Sequence, residues 1–470
     1  MQQTKRKVDF TEGKVFLKII WFVLPIVATN LLQLFYNAAD MMVVSLSSED
    51  NAVGAIGMTG SFIHLIVNLF IGFSVGANVV VAREIGAKNR EKAQNAVHTS
   101  IMMAVLFGIV GMLLGLAVSR PVLRTMGATG NLLDLAVRYT VFYFIGVPFM
   151  AITNNLVAIF RAKGDSKTPL VVLSLAGILN VALNLFFVLV VGLSVEGVAI
   201  ATSIANFASF VVLIIKLSKD QDYTTFSWKR LKMEKQAFKD IVVNGVPAGI
   251  QGALFALSNI LIQSSIVTVN NNLVPPGIEY APVVNGSSAA GNIEGFVYTS
   301  MNAVYQGAIT VTSQNVGAKK LHRVKRILYS SLLAVFSVAA ITSGLAYLFR
   351  EPLLALYGVK GGAEGSLEAL ALEAALVRYK MIVSIYFLCG FMEVCSGVLR
   401  GMGKAIISTV ITLIGACLFR VVWLWTVFPL KETLETIFIS YPISWILTTL
   451  AGFIFIQVLL KKSLKKGEEV

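Results

Sequence analysis

The chain has 470 residues, of which 56% are hydrophobic and only 14% charged, with a mean hydropathy of +0.77. A soluble chain carries about 25% charged residues, so this composition describes a polytopic membrane protein. The formal net charge of +14 does not point to nucleic acid, because the basic residues gather in short loops where the positive-inside rule accounts for them.

The N-terminal stretch MQQTKRKVDFTEGK is basic and runs into a long apolar segment. No small-residue cleavage site follows a short apolar region, so a first span is expected here and not a removed signal peptide. A span needs about 20 mainly apolar residues. Twelve are expected: 15–46, 53–82, 95–118, 132–160, 169–192, 195–216, 238–267, 287–315, 325–349, 373–399, 404–428 and 435–460. Alternate loops carry KRK, REIGAKNREK, RAKGDSK, KLSKDQDYTTFSWKRLKMEKQAFK, GAKKLHRVKR, RGMGK and KKSLKK, which hold most of the 39 Lys and Arg. The opposite loops, SSED, SVEG, GIEY and FPLKETLE, hold few. A multi-pass protein of the cell membrane is expected, with the basic loops and both termini cytoplasmic. The polar stretch 217–237 reads as a cytoplasmic linker between an N-terminal lobe, 1–216, and a C-terminal lobe, 238–470.

The halves repeat. GANVVVAREIGAK (76–88) matches GAITVTSQNVGAK (307–319), VRYTVFYF (137–144) matches VRYKMIVS (377–384), and VAIFRAKG (157–164) matches SGVLRGMG (396–403). Pro25 and Asn37 align with Pro247 and Asn259. With six spans per half, equivalent loops share a side. The repeat is therefore parallel, with its pseudo-twofold along the membrane normal.

Polar residues inside spans are the functional candidates. Asn30, Gln33, Asn37 and Asp40 recur at helical spacing and form one stripe on span 1. An aspartate at mid-helix costs about 2.5–3.5 kcal/mol to insert, so the stripe should face protein or water. An outer-headgroup position for Asp40 is the alternative. Asn180 and Asn184 lie one turn apart on span 5, Thr202 on span 6, His64 and Asn68 on span 2, and Asn154 and Asn155 on span 4. Amides also bind one another between helices, and a lone histidine in a span often only packs. One carboxylate with amide and hydroxyl oxygens suits a hard monovalent cation such as Na+; a proton would need only Asp40.

In the second half Asp40 maps onto Ile262, and the charges are Glu294, Glu393 and Arg420. By the repeat, Glu393 corresponds to Asn154 and Arg420 to the Asn180 region, so a structural Glu393–Arg420 ion pair is expected. Glu294 is left as the acid for proton or cationic-substrate work. Cys389, Cys395 and Cys417 lie in apolar spans and read as small filler, neither a disulfide framework nor a metal motif. No HExxH or phosphate-loop pattern occurs, so an enzyme is not expected.

These residues resemble the multidrug and toxic compound extrusion (MATE) family. The resemblance spans nearly the whole chain: two six-helix halves, the Asp ending span 1, the paired GA…GAK blocks, and RAKGDSKTP with its partner RGMGK. Its bacterial, DNA-damage-inducible-like branch is the nearest. The resemblance implies an all-α membrane protein, two lobes in a V around a central cavity, and antiport by alternating access. Amphipathic or cationic drugs and toxic compounds would be exported in exchange for H+ or Na+, with no other cofactor and as a monomer. It also implies a coupling-ion site at Asp40, Asn180 and Thr202, where Asn184 replaces the family's second acid. Gln33, Asn37, His64, Asn68, Asn154, Asn155 and Glu294 are the substrate-facing candidates. A flippase for lipid-linked sugars is the alternative; it would be expected to line its cavity with several Arg or Lys.

Overall fold

The computed structural model describes residues 9–47, 49, 51–278 and 280–466. The basic residues 5–7 and the acids Asp50 and Glu279 of the expected loops lie outside the described residues. The first half contains α1 (Val15–Val44), α2 (Ala52–Gly86), α3 (Arg90–Thr125), α4 (Gly130–Ala162), α5 (Lys167–Leu185) with a π-helical turn at Phe186–Val190, and α6 (Val195–Lys219). The second half contains α7 (Lys235–Leu273), α8 (Pro282–Gly317), α9 (His322–Leu348), the short α10 (Arg350–Leu356), α11 (Leu367–Met381) and α12 (Phe387–Gly401). It closes with α13 (Ala405–Thr412), a π-helical stretch Leu413–Leu418, α14 (Phe419–Thr426), the short α15 (Leu434–Phe438) and α16 (Ser440–Lys466). Among the described residues, 10 helices are long and apolar enough to cross a membrane, or up to 11 counting α11 and α12 as one span bent by 47°. The remaining expected span, 287–315, lies within α8, whose Asn, Gln, Ser and Thr content keeps its hydropathy low. This is an all-α integral membrane protein.

The chain packs as two compact units. Unit 1 holds the stretch up to Lys14, Trp21–Ala253 and Thr310–Lys320; unit 2 holds Val15–Ile20, Leu254–Ile309 and Leu321 onward. Unit borders follow packing and lobe borders follow the repeat; they differ at Val15–Ile20, at 217–253 and at Thr310–Lys320. In unit 1 one apolar core joins Val80, Val97, Leu156, Phe160, Leu213 and Phe226. A second joins Val44, Ala55, Leu135, Tyr139 and Val198. Phe226 brings the 217–237 stretch into the first core, where it stacks on His98 at 5.1 Å. The ring nitrogens of His98 meet the Gln94 carbonyl at 2.7 Å and the Ser227 backbone at 3.1 Å. Thr99 Oγ1 accepts from the Glu234 backbone N–H at 2.9 Å. That stretch is thus fastened to α3.

The repeat has a physical imprint within unit 1. A Cβ on Gly86 would stand 1.9 Å from the Gln314 carbonyl oxygen, and one on Gly317 would stand 1.8 Å from that of Arg83. Arg83 aligns with Gln314, and Gly86 with Gly317, in the matched blocks. The contact is therefore reciprocal, as a twofold requires. The helix ends match as well. Lys88 (φ 56°) and Lys319 (φ 59°) are both left-handed. Each closes its helix by the same pair of bonds, Lys88 N–H to Ile85 and Asn89 N–H to Glu84, Lys319 N–H to Val316 and Lys320 N–H to Asn315.

Candidate functional site

Three helices of unit 1 meet at Asp40. It lies near the end of α1, half-buried. Asn184 on α5 is wholly buried and donates from Nδ2 to Asp40 Oδ1 at 2.5 Å. Asn180, one turn earlier, is oriented so that both ends of its amide are satisfied. Its nitrogen donates to Asp40 Oδ1 at 2.9 Å, while its oxygen accepts from Thr202 Oγ1 at 3.2 Å and the Thr202 N–H at 3.3 Å. The helical spacing of Asn180 and Asn184 aims both amides at one carboxylate. Asn184 Oδ1 is buried with no hydrogen-bond partner. A buried carbonyl oxygen without a donor is costly, and it suits a cation as its missing partner. The site thus offers a carboxylate and the unanswered Asn184 oxygen, hard donors of the kind a monovalent cation takes.

Neighbours unseen in the sequence frame the site. Tyr36, one turn before Asp40, donates to the Ser174 carbonyl at 3.0 Å. Its ring fills the space a Cβ on Gly177 would take, 1.8 Å away. This fixes α1 on α5 one turn below the carboxylate. Tyr139 and Tyr143, one turn apart on α4, lie within electrostatic reach of Asp40. The aromatic i, i+4 pairing was the available signal. Beyond them Arg138 joins Glu49 at 3.1 Å and also Glu196.

The other candidates scatter. Gln33 and Asn37 are exposed on α1, His64 is exposed on α2, and Asn68 and Asn154 are half-buried. Asn155 faces into the bundle and donates to Ser100 Oγ at 3.1 Å.

In unit 2 the expected Glu393–Arg420 pair is not formed. Arg420 donates from Nε to Ser444 Oγ at 3.0 Å, and its guanidinium lies 3.9 Å over the Tyr441 ring. The π-helical stretch Leu413–Leu418 precedes it. A π turn adds a residue, so the side chains beyond it are rotated by roughly 100° from the straight-helix register that the repeat implies. Glu294 has a partner after all: Arg378, at 2.8 Å to Nη2 and 2.9 Å to Nε. Arg378 also donates to the Ser287 carbonyl at 3.1 Å. The sequence held the signal, since Arg378 in VRYK aligns with Arg138 in VRYT. Both arginines bind buried glutamates.

Comparison with known proteins agrees with this architecture. The chain is 27% identical over 406 residues to the probable multidrug resistance protein YoeA of Bacillus subtilis (strain 168), covering 83% of this chain and 82% of that one. It is 21% identical over 417 residues to the multidrug export protein MepA of Staphylococcus aureus (strain NCTC 8325 / PS 47), covering 88% of each. Among solved structures, an outward-facing multidrug resistance MATE family transporter of the MOP superfamily superposes with a TM-score of 0.88 at 19% identity, over 99% of this chain and 100% of that one. The MatE family profile matches residues 25–186 and 281–426. On that match, which takes in both halves of the repeat, the chain belongs to the MatE family.

Proposed function

We propose that this protein is a secondary antiporter that exports amphipathic, often cationic compounds in exchange for H+ or Na+, with the coupling cation taken at Asp40. The observation that carries the reading is the convergence of the Asn180 and Asn184 amides on that single carboxylate, with Thr202 behind Asn180 and the Asn184 oxygen left unanswered. One carboxylate balances one monovalent charge. The names of the relatives, multidrug resistance and multidrug export, support the export half of the reading. Gln33, Asn37, His64, Asn68 and Asn154 remain the substrate-facing candidates of the first half. Placement in the cell membrane, cytoplasmic termini and a monomeric state belong to the same reading, as does the absence of enzymatic activity.

Purified protein in liposomes tests it, with pH and sodium gradients imposed separately. An amphipathic fluorescent cation should accumulate against its own gradient under at least one of them. Equal flux with and without both gradients would rule out coupling.

A further inference from the structure

Unit 2 buries two opposite charges that do not touch. Arg420 is 4% exposed and Glu393 6%. Among the described residues neither takes part in an ion pair. Either charge in a bilayer interior is expensive unless something answers it. The guanidinium is stacked on Tyr441 at 3.9 Å and lies 5.8 Å from the Trp445 ring. Its Nε is satisfied by Ser444, while its terminal nitrogens meet no acceptor among the described residues. Stacking fixes the plane of the fork and leaves its edge for an in-plane, two-oxygen acceptor.

The surroundings set where the two charges lie. Tyr386, at the start of α12, and Trp445 have ring centroids 5.3 Å apart, so that segment shares the aromatic cluster on which Arg420 lies. Tyr386, Cys389 and Glu393 follow one another at helical spacing along one face of that segment. Glu393 is thus about two turns, or roughly 10 Å of helix rise, along α12 from Tyr386. Glu294 is already neutralised by Arg378.

We infer that Arg420 is an anion-recognising residue: it binds the carboxylate of an amphipathic ligand whose amine lies toward Glu393. The inference rests on the export reading for its biological use. It differs in what it demands, because a site built for cations alone has no use for an unneutralised guanidinium. The aromatic floor of Tyr386, Tyr441 and Trp445 would take the ligand's apolar body.

Equilibrium binding tests this whether or not transport is seen. The probe is a fluorescent aromatic amine bearing a carboxylate, compared with its methyl ester, on purified protein. Wild type should bind the carboxylate form at least about tenfold more tightly than the ester, on the strength of a bidentate charged contact. Arg420→Gln should erase that preference, weakening the carboxylate form by about tenfold and the ester by less than about twofold. Should Arg420→Gln not fold, Arg420→Lys carries the test, because it keeps the charge and loses the fork; the preference should again shrink. Wild type that binds the ester as tightly as the carboxylate form would overturn the inference. So would a variant that loses both equally. Binding with this preference but without gradient-driven flux would leave Arg420 in place and sink the export reading alone.

Discussion

Asn184 brings both a donor and an unanswered acceptor to Asp40. Replacing it by Ala removes a hydrogen bond to a charged group, worth about 1.5–3 kcal/mol. Asn184→Ala should therefore raise the cation concentration that half-saturates efflux by at least about tenfold, measured under an imposed gradient at fixed substrate. An unchanged half-saturation would place the coupling cation elsewhere. The second residue-scale prediction concerns Glu294 and Arg378, bonded twice at 2.8 and 2.9 Å in the interior of unit 2. Removing one partner of a buried pair costs about 3–5 kcal/mol. Glu294→Gln and Arg378→Met should each lower thermal stability sharply, while the double variant should be milder than their sum. Additive losses would contradict the contact. At this scale the sequence showed a good deal of the first-half geometry, because Asn180 and Asn184 sit one turn apart and helix periodicity puts them on one face. It did not show the partner of Glu294. Pairing across helices depends on azimuth, which composition does not carry, although the VRY block repeated in both halves pointed to Arg378.

The helices themselves were largely legible, since apolar runs of membrane length leave few other conformations for the backbone. The departures have local causes. The expected span 287–315 lies in α8, whose Asn, Gln, Ser and Thr residues make it the most polar of the long helices expected to span. The expected span 373–399 is two helices meeting at 47°, with β-branched Ile382, Val383 and Ile385 at the break, where stiff χ1 angles lower helix propensity. The π-helical stretch before Arg420 turned that side chain away from its expected partner. The GAK blocks give the element-scale prediction. Gly86→Ala and Gly317→Ala each put a Cβ within 2 Å of a carbonyl oxygen on the facing helix. Backbone cannot yield as a side-chain tip can. Each substitution should cost about 1–3 kcal/mol by overpacking, and the two costs should be similar because the contact is reciprocal. Thermal unfolding in detergent would check both; a neutral effect at one and a large effect at the other would contradict the twofold character of the contact.

At the scale of the whole molecule, duplication supplied two similar bundles and divergence gave them different chemistry. The first half gathers two amides about Asp40, with a hydroxyl behind them. The second keeps an ion pair at Glu294 and Arg378 and two charges held apart at Glu393 and Arg420. On the proposed reading, the first takes the coupling cation and the second meets the exported compound. The amide chain reaching Asp40 links α1, α5 and α6, so occupancy at one carboxylate bears on three helices at once. That link is what would let a small ion bias a change of conformation, provided its affinity differs between the two states. The most direct measurement is gradient-driven efflux by Asp40→Asn in liposomes. The substitution removes the charge and keeps the size, so thermal stability should stay near that of wild type. The account predicts normal folding with efflux reduced to the level of protein-free vesicles under both pH and sodium gradients. Efflux at wild-type rates in a folded Asp40→Asn protein would contradict it.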